Sequence, residues 1–111
     1  MMIMKKAIWL SYDIGVRGDY EGFYAWLDSK GAIECGDNLA FFTYEADGDI
    51  LKSLKKEIEE AVEITKKMRI YLIYREAETN KMKGRFVFGN RKAAPWTGYA
   101  IEPIQTVEDE V

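Results

Sequence analysis

The sequence predicts an α+β fold, with one antiparallel sheet and two helices packed on one of its faces. Three observations carry that expectation. Apolar residues make up 48% of the 111 residues, which suits one packed core and leaves no room for a second. Short apolar or alternating runs mark strands near residues 6–12, 39–44 and 69–75. Between them, residues 20–30 and 50–67 repeat their apolar positions at helical spacing.

The first strand, Lys6 to Tyr12, sends Ile8, Leu10 and Tyr12 to one face and Trp9 and Ser11 to the other. It ends in Asp13 and a linker, Ile14-Gly15-Val16-Arg17-Gly18, whose glycines permit a tight turn. Asp19 suits the N-cap of the first helix, Tyr20 to about Lys30. Tyr20, Phe23, Tyr24 and Leu27 form its stripe, Trp26 falls near the stripe edge, and Gly31 suits the C′ position. Ala32 to Cys35 is a short second strand, and Gly36-Asp37-Asn38 is a hairpin turn. Leu39 to Tyr44 is an aromatic-rich third strand. Asp47-Gly48-Asp49 breaks it, with Asp49 as a cap for the second helix, Ile50 to Lys67. Leu51, Leu54, Ile58, Ala61, Val62 and Thr65 trace that helix's expected buried side. Arg69 to Arg75 is the fourth strand, and Arg85 to Phe88 the fifth. Tyr99-Ala100-Ile101 is a candidate sixth.

The order is β-α-β-β-α-β with an extra C-terminal β segment, the split βαβ arrangement called ferredoxin-like. It forms a single domain over residues 1–103, followed by an acidic, flexible tail over 104–111. Strands one, three and four carry apolar residues on both faces, so the second sheet face is expected to be covered. A C2 homodimer is the preferred cover, with the C-terminal segment, or a monomer whose partly aromatic face stays open, as the alternatives.

Composition excludes several chemistries. There is no histidine, which removes Ser-His-Asp and Cys-His triads and imidazole metal ligands. Cys35 is the only cysteine, so no internal disulfide forms, and its apolar setting predicts a small core residue. No apolar run is long enough to cross a membrane, and the first residues lack the pattern of a signal peptide; the expected location is cytoplasmic. The net charge of −3 conceals an asymmetry. Residues 13–63 hold thirteen acids and five bases, whereas residues 66–92 hold nine bases and two acids. Such a split fits a polar partner, a self-complementary dimer or ordinary solvated faces.

Candidate sites follow. Asp13 stands where a strand ends, and two symmetry-related copies could hold Mg²⁺ or Mn²⁺ between them; the competing role is a turn residue bonded to loop amides. Lys81, Lys83, Arg85, Arg91 and Lys92, interleaved with Phe86, Phe88 and Trp96, suit phosphate tracking and base stacking. The same alternation also describes an edge strand with one wet face. Arg17, in its glycine-flanked linker, could meet an anion at a helix start. Asp37, Asp47 and Asp49 read as turn and cap residues, because the Asp-Gly-Asp stretch lacks a full calcium-loop spacing.

Leu10-Ser11-Tyr12-Asp13-Ile14, the helix from Asp19 to Lys30 and the order through Arg69-Ile70-Tyr71-Leu72 resemble the CRISPR-associated spacer-adaptation subunit family. They also resemble its virulence-associated protein D-like ribonuclease relatives. The resemblance spans about residues 6–75. It implies a ferredoxin-like homodimer in which Asp13 of each copy contributes to one divalent metal site, and a role in binding or cleaving RNA or DNA. The chain departs from that pattern after Asp13, where Arg17 is the only arginine before the first helix, and over residues 84–101. Two functions are therefore expected: a nucleic-acid-associated protein with metal-dependent endonuclease activity, or a non-enzymatic regulatory or interaction module that binds a ligand or protein at its dimer cleft.

Overall fold

A computed structural model describes residues 4–46 and 48–100. Over them the chain is α+β, with a five-stranded antiparallel sheet and two helices. The elements are β1 (Met4–Asp13), α1 (Tyr20–Ser29), β2 (Ile33–Gly36), β3 (Leu39–Ala46), α2 (Ile50–Ala61), β4 (Arg69–Arg75) and β5 (Met82–Phe88). The strand order is β2-β3-β1-β4-β5, so the first strand lies at the centre. None of the described helices is long and apolar enough to cross a membrane. Asp47, Ile101 and the expected tail at 104–111 lie outside the described residues.

Alternation along the strands builds the core. Ile8, Leu10, Phe42, Tyr44, Ile70 and Leu72 point to the helix-bearing face and are buried there. Ile50, Leu54 and Ile58, spaced four apart on α2, close over them with Phe23, Trp26 and Leu27 of α1. Among the described residues no helix packs on the opposite face. Trp9 pairs with Phe41 and Ile73 across that face, its ring centroid 5.1 Å from that of Phe41.

Several expectations change in detail. Helix α1 buries Phe23 and Leu27 of the expected stripe but turns Trp26 inward and leaves Tyr20 and Tyr24 exposed. The reason is polar: the Trp26 indole N–H donates to Glu57 on α2 at 3.1 Å, so the ring can be buried with its one donor satisfied. Cys35 is exposed, not a core residue. It sits on edge strand β2 where the pairing with β3 shifts register between Glu34 and Gly36, beyond the reach of either helix. Ala61 and Thr65 are exposed. Residues 99 and 100 lie in a turn rather than a strand.

Helix α2 ends at Ala61, six residues before the expected limit. Val62 is extended (φ −131°, ψ 140°), and the next amide, Glu63 N–H, donates to the Asp19 carboxylate at 3.0 Å. The same carboxylate accepts from Gly22 N–H at 2.9 Å and caps α1. One side chain thus starts one helix and takes the chain leaving the other. β-Branched Val62, Ile64 and Thr65 add little to helical persistence. Residues 62–68 become a connector that delivers Thr65, Lys66 and Lys67 to the end of the sheet where Asp13 lies.

A basic cleft beside an aromatic pair

The site is assembled at the carboxyl end of β1. Antiparallel pairing brings Arg69, the first residue of β4, level with Asp13. Strand β5 runs back beside β4 and ends at the same edge, so Gly89, Asn90, Arg91 and Lys92 emerge there too. The connector after α2 and the linker after β1 complete the ring. Between them is a cleft of about 690 Å³. Among the described residues its charged lining consists of Arg17, Lys66, Lys67, Arg69 and Lys92, with Asp13 the only acid. Among the described residues the ion pairs are Lys30–Glu57 and Lys83–Glu76, both outside this cleft. The cleft cations therefore face solvent without a carboxylate partner among those residues.

The positive character comes from side chains, and two linker amides are already taken up within the loop. Gly15 N–H donates to Asp13 Oδ1 at 3.2 Å, and Gly18 N–H to the Gly15 carbonyl at 3.2 Å. Asp19 already occupies the start of α1. Two backbone bonds hold this carboxyl below its ordinary value, first from Glu63 and then from Gly22. Arg17 stands at the cleft wall. Asp13 does make the turn bond expected of it, and it also stands at the cleft mouth.

Adjoining the cleft on the open sheet face is a recess of about 250 Å³, lined by Ser11, Tyr12, Asp13, Arg69, Tyr71, Phe86 and Arg91. Asp13 and Arg69 border both spaces. The Tyr71 and Phe86 rings meet edge to face with centroids 4.8 Å apart. The Arg91 guanidinium lies over both, 5.6 and 5.5 Å from their centroids, and Arg69 lies 5.6 Å from Phe86 on a second approach. Arg69 is steadied by its Nε donating to the Asn90 carbonyl at 3.1 Å. Burial, reinforced by neighbouring Tyr24, raises the Tyr12 phenol above its ordinary value.

The candidate residues of the sequence divide between two ends of the sheet. Asp13, Arg17, Arg91 and Lys92 gather here. Lys81 lies in the β4–β5 hairpin at the far end of β5, about 20 Å away by strand rise. Lys83 is level with Tyr74 and Arg85 with Leu72, on the helix-bearing face, and Lys83 pairs with Glu76 at 3.8 Å. Trp96 is 73% exposed and lines neither space, while Phe88 packs on the core. Lys66, Lys67 and Arg69 were missed, because the first two read as helix and the third as strand. The block of bases beginning at Lys66 was the available signal. Asp49 caps α2, accepting from Leu51 and Lys52 N–H, and Asp37 lies in the β2–β3 turn.

The described residues of one chain do not by themselves fit a divalent ion at Asp13. Mg²⁺ binding calls for further oxygen ligands, and the groups around this carboxylate are cationic. No cluster of three or more potential ligating side chains occurs among the described residues. No family model, curated protein or solved structure matches this chain, so its function must be argued from the chemistry of this site.

Proposed function

We propose that the protein is a nucleic-acid-associated protein that engages a phosphate backbone through the cleft at the end of β1. The observation that carries this reading is the convergence of Arg17, Lys66, Lys67, Arg69 and Lys92 on one wall-lined space in a chain of net charge −3. Clustered cations replace the counterions of a polyphosphate, and the release of those counterions drives association. The ferredoxin-like reading is supported by the order β2-β3-β1-β4 and by both helices lying on one face.

Anisotropy of a labelled single-stranded oligonucleotide tests this across a salt series. With five phosphate contacts, log K against log salt should have a slope of about −3.5. The double substitution Lys66→Glu/Lys67→Glu should weaken binding at least tenfold and flatten the slope. Reversal of Lys81 and Lys83 should have the smaller effect, since they lie at the other end of the sheet. Absence of binding at low salt would overturn the reading in favour of a regulatory or interaction module.

A second reading adds metal-dependent cleavage by a C2 homodimer, and the half-covered row Trp9, Phe41 and Ile73 on the open sheet face favours it. Apposed sheet faces would cover that row and could bring two Asp13 carboxylates together. Added Mg²⁺ or Mn²⁺ should then produce cleavage of RNA or DNA that Asp13→Asn abolishes, and sedimentation should show a dimer. Cleavage unchanged in that variant would remove Asp13 from the reaction.

A further inference from the structure

We infer that the recess formed by Tyr71, Phe86 and Arg91 is a base-stacking subsite, so that the protein selects unpaired strands over duplex. This rests on the phosphate-cleft reading above and names the form of nucleic acid that the cleft serves. Three features of the recess carry it.

The first is adjacency. Asp13 and Arg69 border both the recess and the basic cleft, so a nucleotide can place its phosphate in one and its base in the other. The second is shape. At about 250 Å³ the recess lies just below the roughly 300–1,000 Å³ of whole-ligand pockets, a size suited to one planar ring system. The third is the arginine. Arg91 lies over the Tyr71 and Phe86 rings, where a planar group gains from both ring faces. It is exposed and belongs to the segment after β5. The guanidinium already rests on both rings, so a base would displace it to reach the aromatic floor. Tyr71 lies over Gly84 of the neighbouring strand, where a side chain would meet the phenol. Bases inside a duplex are stacked on one another and cannot reach such a floor, whereas an unpaired base offers its face to any aromatic surface.

The test compares a 12-nucleotide strand, the same strand with abasic sites, and its duplex, at one low salt concentration. The intact strand should bind about tenfold more tightly than either alternative. A 2-aminopurine placed in the strand should be quenched on binding. Phe86→Leu, which keeps an apolar side chain, should lose about tenfold in affinity for the strand, leave the duplex unchanged and preserve the salt slope. Equal affinity for all three nucleic acids, with no quenching, would overturn the stacking subsite. If Lys66→Glu/Lys67→Glu still weakened binding in that case, the cleft would stand without it. No binding of any of the three would overturn the subsite and the cleft reading together. The abasic strand keeps the comparison decisive even if Phe86→Leu fails to fold.

Discussion

Asp19 shows how much one carboxylate decides at the residue scale. Its capping of α1 was legible from an acid placed before an amphipathic stretch. Its second bond, to Glu63 N–H forty-four residues away, was not, because only the packed helices bring the two together. Both bonds favour the charged form, and the carboxyl is held below its ordinary value. Its contribution to stability is therefore complete above the unfolded value near 4 and is lost as pH falls through the folded value. Urea midpoints of the wild type and Asp19→Asn should differ at pH 7 and converge as the solution is acidified below about pH 4. Tyr44 behaves in the opposite sense. Its hydroxyl donates to Glu57 at 2.7 Å and meets Ser53 at 2.6 Å. Burial, with Glu57 adding to it against the pull of Ser53, pushes the phenol up to about 12. Stability from this group is full below about pH 10 and declines as pH rises through 12. Tyr44→Phe should cost about 1–3 kcal/mol in urea unfolding at pH 7, and it should remove a tyrosine step near pH 12 from the alkaline absorbance titration. For Glu57, burial works to raise the carboxyl, but the bonds from Lys30, Tyr44 and Trp26 outweigh it and hold the group low.

Among the elements, the decisive events are a helix that stops early and a strand with one residue too many. The stop of α2 frees Lys66 and Lys67 for the cleft. No glycine or proline announces it in residues 62–68; the competing hydrogen bond to Asp19 does the work. In β5 the register against β4 shifts between Ile70 and Tyr71, so Val87 has no partner. Val87 and Phe88 consequently both pack on the core, while Phe86 turns to the open face beside Tyr71. Period-two counting from the sequence would have placed Phe86 and Phe88 together. Gly84→Ala tests this geometry. The new methyl would meet the Tyr71 phenol, so the variant should lose about 1–3 kcal/mol in urea unfolding and change the near-ultraviolet circular dichroism. Leu54→Ala, at the fully buried centre of α2, should cost about 2–5 kcal/mol without altering nucleic-acid binding.

Across the whole molecule, charge is segregated as the sequence suggested, but the division is spatial rather than linear. The bases of residues 66–92 do not form one patch. Antiparallel pairing sends Arg69 and Arg91 to one end of the sheet and Lys81 to the other. Arg17, from the acidic half of the chain, joins the basic end. A chain of net charge −3 should repel a polyanion at long range, so the local field of the cleft has to steer it. Stopped-flow association with a labelled strand should slow as salt rises from 20 to about 200 mM, a range over which the Debye length shrinks below cleft dimensions. Lys66→Glu/Lys67→Glu should show the weaker salt dependence.

The sequence by itself determined the α+β class of the fold, with an antiparallel sheet and two helices, both helix N-caps and the helix-facing sides of the central strands. Those depend on local periodicity and on short-range hydrogen bonds, which neighbouring residues specify. Only the tertiary structure decided which cations share a cleft, that Trp26 rather than Tyr24 is buried, that Cys35 is exposed, and that Tyr71 and Phe86 meet. Each of these depends on strand register, on a bulge or on a bond between distant segments. A shift of one residue moves a side chain to the other face of a sheet, and composition alone does not specify it.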